Sequence, residues 1–306
     1  MLRQARYLIA VADHGSFTRA STALRISQPA LSQQVKQLED SLGVKLLDRS
    51  GPVIKATDAG HAYINHARRA LQSFDAGQRA IHDVENLSEG VLRLGFSPLF
   101  TTYLVGPIVQ EFHARYPGIF LTVEIQTQAD MEKAIVSDEC DIGLGFGDLV
   151  TEDVQIEPLH KEQLCLIVGK LNPAYSKRVL SARKIDPIDL ALLNSSFVTR
   201  ATIDLYLRTN SVRSRIALET NSVDSLVAIV QRSRRLATIM PETTARGIPN
   251  LRAIRLNPPI AVRTTAALLR KDSYHSAASR VFLTMLKKRD WTSEANKILK
   301  EHKVKS

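Results

Sequence analysis

Ser27-Gln28-Pro29-Ala30-Leu31-Ser32-Gln33-Gln34-Val35-Lys36-Gln37-Leu38-Glu39 is the stretch on which the fold turns. Ser27 is an N-cap residue, and Pro29 falls in the first helical turn, where a missing N–H costs little. Leu31, Val35, Leu38 and Leu42 recur at helical spacing, and Gly43 stops the helix. The other face carries Gln28, Ser32, Gln33 and Lys36. A helix that reads DNA needs short polar side chains at its N-terminal end, because that end enters the major groove. Gln28 can bond adenine N6 and N7 together, Ser32 can reach a base or a phosphate, and Lys36 suits a phosphate. Taken alone, the polar face of a small solvated helical domain would look the same.

The flanks narrow the choice. Residues 2–12 read as a short helix with Leu2, Leu8, Ile9 and Ala12 inward, closed by Gly15. Ser16 or Thr18 can cap a second helix that runs to about Leu24. After the third helix, Leu46–Lys55 suggests a hairpin turned by Ser50-Gly51-Pro52. Residues 1–57 are therefore expected to form a winged helix-turn-helix. Thr57 or Asp58 then caps a long helix lasting to about Leu87, in an arm of 58–89. Ile64, Ala67, Leu71, Phe74, Gln78 and Ile81 repeat at steps of three and four, the seam that two paired helices need. Thirty residues would span roughly 45 Å, a spacer and dimerisation arm, the competing reading being a long helix packed on its own domain.

Beyond Ser88-Glu89-Gly90 the pattern becomes α/β. Strands are expected at Val91–Phe96, Phe120–Ile125 and Asp141–Phe146, with helices at Thr101–Tyr116 and Asp130–Asp138. A second series comes next, with strands at Gln163–Val168, Arg215–Glu219 and Leu236–Ile239 and helices near Thr202–Thr209 and Ser222–Arg232. A strand at Thr264–Leu269 and a helix at Ser276–Lys288 finish it. The alternation implies parallel, doubly wound sheets. Overall the chain reads as an α+β multidomain protein, its 90–306 part an α/β domain like a periplasmic binding protein. Subdomain I takes about 90–162 and 266–306, subdomain II about 163–265, and a cleft lies between.

In open α/β sheets ligands sit beyond the carboxyl ends of strands. That places Ser97, Pro98, Phe100, Thr101 and Thr102 at the cleft, with Thr127 and Gln128 after the second strand and Phe146 ending the third. Thr199 and Arg200 precede a helix on the opposite side. A helix opened by Thr101 and Thr102 would favour an anion, and Arg200 could supply a counter-charge. The competing reading makes these hydroxyls helix caps and pairs Arg200 with a local carboxylate.

Composition sets the outer bounds. The 306 residues are 44% hydrophobic and 24% charged, ordinary for a globular protein of two or three domains. The formal net charge of +10 favours a polyanionic partner. Part of the excess is terminal: Arg280 to Ser306 carries eight Lys/Arg against three Asp/Glu, read as a solvated helix end rather than a second DNA contact. Cys140 and Cys165 lie in apolar stretches without CxxC spacing, as reduced buried thiols do; a redox switch is the minor alternative. No run suits a bilayer and no leader pattern opens the chain, so a cytoplasmic location is expected. Gly143–Gly147 lacks the spacing of a nucleotide loop, and His61 and His66 fall on different helical faces. Nothing resembles a nucleophile elbow, so no cofactor and no enzymatic activity are expected.

Ser16–Leu24, Ser27–Glu39 and Leu42–Arg49 together resemble the LysR-type transcriptional regulators, and the order of domains fits over essentially the whole chain. The resemblance implies Thr18 on phosphate, Gln28, Pro29, Ser32 and Gln33 in the groove, and Arg49 of the wing against the DNA backbone, with the cap residue Ser27 counted among the DNA-binding residues. The family's wing often has a second basic residue where Pro52 stands here, and Lys55 can substitute for it. Gly77–Val84, Phe100–Pro107 and Phe197–Asp204 are similar to the cyanate-responsive members of the family. The resemblance further implies an activator that also represses its own gene, binding double-stranded promoter DNA and a small, anionic inducer. Pairing with itself as dimer or tetramer and contact with RNA polymerase are implied as well, with no membrane partner. A different small carboxylate or metabolite is the alternative inducer. A solute-binding protein is the alternative from another class, and the helix-turn-helix speaks against it.

Overall fold

The computed structural model describes residues 1–83, 87–147, 151–246 and 248–291. Contacts divide the chain into two compact units, Met1–His82 and Asp83–Ser306.

The first unit opens with α1 (Leu2–His14), α2 (Phe17–Leu24) and α3 (Gln28–Leu42). Its punctuation is local. Gly15 closes α1 and Gly43 closes α3, both in the left-handed region. The Ser16 and Ser27 hydroxyls accept from the Arg19 and Ala30 amides and so cap α2 and α3. Leu8, Val11, Leu31, Val35 and Leu38 close the core between them. Two short antiparallel strands, β1 (Leu47–Asp48) and β2 (Lys55–Ala56), form the wing. Thr57 caps α4 (Asp58–Asp83): its hydroxyl donates to the Lys45 carbonyl and accepts from the Gly60 amide. At 26 residues α4 is about 39 Å long.

The expected seam along α4 divides. Ile64 and Ala67 are buried, Ile64 in the core of its own unit, while Phe74 is 57% exposed. The seam's first residue is thus spent on the core of its own unit, because the first turns of α4 lie over α1 and the wing. The side chains of Gln78 and Ile81 fall outside the described residues. Leu87, expected to end the helix, sits in a turn.

The second unit has two lobes. In lobe I the sheet runs in the order β4 (Ile119–Ile125), β3 (Gly90–Phe96), β5 (Ile142–Phe146), β13 (Arg263–Arg270), β6 (Val154–Glu162). Against it lie α5 (Val105–Arg115), α6 (Gln128–Val136) and α10 (Ala277–Lys288). In lobe II the order is β10 (Ile216–Thr220), β9 (Asp189–Leu193), β11 (Leu236–Pro241), β7 (Leu164–Gly169), β12 (Leu251–Asn257), β8 (Val179–Ser181). Its helices are α7 (Val198–Thr209), α8 (Val223–Arg232) and the short α9 (Glu242–Ala245).

Neither sheet is wholly parallel. β3, β4 and β5 run parallel, as do β9, β10 and β11, but β13 is antiparallel to both its neighbours and so is β7. These antiparallel strands adjoin the two places where the chain passes between lobes, from β6 into β7 and from β12 into β13. One apolar core runs through both lobes, joining Phe96, Phe100 and Phe112 of lobe I to Ile167, Leu226 and Val230 of lobe II. No helix among the described residues is long and apolar enough to cross a membrane. The terminal stretch from 292 onward lies outside the described residues.

Candidate nucleic-acid interface and effector cleft

On α3 the stripe Leu31, Val35, Leu38 is fully buried, which turns the intervening residues outward. Ser27, Gln28, Pro29, Gln33 and Lys36 are exposed, and Ser32 is half-buried. Thr18, at the start of α2, is exposed too. Helix periodicity thus collects the predicted groove-facing residues on one surface.

The wing is fixed by Glu39, a residue of the motif for which the sequence suggested no role. Its carboxylate is 1% exposed; Oε1 accepts from the Leu46 and Leu47 amides at 2.8 and 3.1 Å, and Oε2 accepts from Arg49 at 2.9 Å. Arg49 also lies 5.1 Å from the Phe17 ring centroid, over its face. A buried carboxylate needs such donors. The result holds Arg49 on the wing with its side chain still 39% exposed. Lys55 is exposed on β2. The acid set among apolar neighbours was the signal that could have identified Glu39.

In the second unit the expected helix over Thr101–Tyr116 is replaced by two elements. A 3₁₀ turn covers Pro98–Thr102, and α5 begins only at Val105. Pro107 sets this start, since proline fits the first turn of a helix. Thr101 and Thr102 therefore close a turn rather than open a helix, and their hydroxyls donate back to the carbonyls of Pro98 and Leu99. Ser97, 5% exposed, precedes the turn, and its amide donates to the Leu144 carbonyl. The Phe100 ring is buried, 5.4 Å from Phe146 and 6.0 Å from Tyr103 between centroids. Thr127 caps α6 and also donates to Asp130. Gln128 is buried and bonds both the amide and the carbonyl of Phe146, as well as Glu132. Arg200 holds Asp204 at 2.8 Å and Glu219 at 2.6 Å, the local pairing weighed as the alternative.

What joins the lobes is a group at the two crossings. Glu162 ends β6, and Arg263, its partner in register, begins β13. Arg263 is 2% exposed; its guanidinium carbon lies 3.5 Å from the Phe146 ring centroid, and it donates to the hydroxyl of Thr199 in the first turn of α7. The Tyr103 hydroxyl donates to Glu162. Burial pushes the Glu162 carboxyl up to about 7, against the opposing pulls of Tyr103 and Arg263. Phe146 and Thr199, both picked out from the sequence, lie buried against Arg263 at the seam. Tyr103, Glu162 and Arg263 were not singled out; the available signal was a charged residue at each expected crossing. The two cysteines are buried, which pushes each thiol up to about 12. A thiol held so far above neutral is a poor nucleophile.

Residues 2–61 match the model of the bacterial regulatory helix-turn-helix protein, lysR family, and residues 85–291 match the LysR substrate binding domain. The chain belongs to the LysR family. Among LysR-family relatives, a probable RuBisCO transcriptional regulator of Trichormus variabilis is 27% identical over 315 residues, covering 99% of this chain and 94% of that protein. One from Chlorokybus atmophyticus is 31% identical over 236 residues, 75% of each. Among solved structures, a full-length OxyR variant from Pseudomonas aeruginosa superposes with a TM-score of 0.70 at 20% identity, over 94% of this chain and 98% of that one. CbnR in complex with its target DNA gives 0.55 at 20% identity, over 96% and 99%. As a LysR-type transcriptional regulator the chain has a DNA-binding head and an effector-binding domain, and it is not an enzyme.

Proposed function

We propose that this regulator reads promoter DNA with Gln28, Ser32 and Gln33. Thr18, Lys36, Arg49 and Lys55 hold phosphates, and a small anion between the lobes controls the outcome. The observation that carries the anionic reading is Arg263. A buried guanidinium at the seam, against Phe146 of lobe I and Thr199 of lobe II, gives a small anion one cation that both lobes share. A ligand that binds one arrangement of the lobes better than another shifts the population toward it. Two relatives are named probable RuBisCO transcriptional regulators, which supports control of a metabolic operon as the class of role.

Cyanate is the anion to try first, on the strength of Phe100–Pro107 and Phe197–Asp204, since both passages contribute to the seam. The test is a footprint on the chain's own upstream region, with and without millimolar cyanate or formate. A footprint that shortens or shifts with cyanate supports the full reading. A response to formate alone keeps an anionic effector and discards cyanate. A specific footprint indifferent to both sinks the anionic reading and leaves the family role intact.

A further inference from the structure

Charge is unevenly shared within the effector-binding domain. Residues 163–265 carry sixteen Lys/Arg and six Asp/Glu, a surplus equal to the formal +10 of the whole chain. Residues 90–162 carry four Lys/Arg and twelve Asp/Glu.

Topology concentrates the basic surplus. β9, β10 and β11 are parallel, so Asp189, Ile216 and Leu236 begin them at one end of lobe II. α7 leads into β10 and α8 into β11, so both helices finish at that end as well. There the chain exposes Arg208, Arg213, Arg215, Arg232, Arg234 and Arg235. Two carboxylates sit among them. Asp189 takes Arg215 and Arg235, and Asp186 accepts from the Arg213 amide. The guanidinium groups of Arg208, Arg213 and Arg234 have no partner among the described residues. This end is remote from the crossings, because β7 is antiparallel to β11 and pairs Leu164 with Pro241 at the opposite end.

We propose that this arginine pole of lobe II holds the phosphate backbone of duplex DNA flanking the operator. The composition favours phosphate over a protein partner. Lys184 is exposed beside these six residues, but arginine dominates the pole, and its planar fork grips phosphate oxygens in pairs. A protein-docking patch would carry an apolar, aromatic centre. Beside the six arginines the exposed large apolar residues are Leu205, at 59%, and Ile216, at 38%, with no exposed aromatic residue between 201 and 236. The chain already carries a DNA-binding head, so flanking phosphates meet the pole at high effective concentration, and weak contacts count. The inference rests on the family's DNA binding and is independent of which anion acts as effector.

The test uses the full-length triple variant Arg208→Gln, Arg213→Gln, Arg234→Gln. Binding is measured against salt on two duplexes: one limited to the core footprint, one extended on both sides by unrelated sequence. Each phosphate contact contributes about 0.9 to the slope of log K against log salt. The expected result is a slope shallower by roughly two to three on the long duplex, with affinity at low salt down by more than tenfold, and no change on the short one. An unchanged slope on the long duplex overturns the proposal, and so does an equal loss on both duplexes. Loss of self-association in sedimentation, with the slope intact, would assign the pole instead to the acidic lobe of a second copy.

Discussion

Glu162 shows how a single residue ties stability to pH. Burial raises its carboxyl to about 7, above the ordinary 4.5. Below about 4.5 it is protonated in folded and unfolded chain alike, and its contribution is fully present. As pH rises from 4.5 through 7 the unfolded chain ionises first, and the fold loses about 3 kcal/mol. The transition temperature of the effector-binding domain should therefore fall across that window, and Glu162→Gln should flatten the decline; an equally steep profile in the variant would exclude Glu162 as its source. On α3, Gln28→Ala should weaken specific binding roughly ten- to hundredfold, the worth of one bidentate base contact. Non-specific binding should hold, and an equal fall in both would make Gln28 a backbone contact. These residues also mark what single positions disclose. The outward placement of Gln28 and Ser32 was legible because a polar face beside a buried stripe is a local pattern. Thr101, Thr102 and Arg200 were ambiguous because a hydroxyl or guanidinium can serve its own backbone or a nearby carboxylate as readily as a ligand. Tyr103, Glu162 and Arg263 come from three distant segments, and nothing local announces their meeting.

Among the elements, α4 and the wing are held at a distance that only glycine allows. A Cβ built on Gly60 would stand 2.0 Å from the Leu46 carbonyl oxygen. Gly60→Ala must therefore push α4 off β1 and break the Thr57 cap. A loss of about 1–3 kcal/mol is expected, as for other overpacked sites, read as a lower transition temperature of the DNA-binding unit. A variant as stable as the parent would show that the helix can shift without cost. Most elements were readable from their periods and caps, including the bounds of α3 and α8 within a residue or so. The missed strands differ in cause: β9 (Asp189–Leu193) is a short buried run with no alternation to read. In β12 (Leu251–Asn257) two arginines interrupt the buried Leu251, Ile254 and Leu256, and in β6 (Val154–Glu162) only Val154 and Glu162 are buried, so neither shows a clean period of two. The fragment Thr101–Tyr116 failed for another reason: the 3₁₀ turn and the helix after it have nearly the same apolar spacing, and only Pro107 separates them.

For the molecule as a whole, the change of hydrophobic period after Gly90 made the order of the parts readable from the sequence. Strand direction was not readable in this way, because a strand's pattern is the same whichever way its neighbour runs. The mixed sheets arise from the two crossings instead. Those crossings also set a schedule for synthesis. β6 is bonded in its sheet to β13 alone, and β13 starts at Arg263. A ribosome that has just completed Glu162 must add about a hundred more residues before that partner exists, a delay of roughly 5–20 s at ordinary elongation rates. Throughout that interval lobe I has an unpaired strand, while lobe II acquires all of its own. Newly made chain is therefore finished in the reverse of the order in which it was begun, the inserted lobe first and the earlier one last.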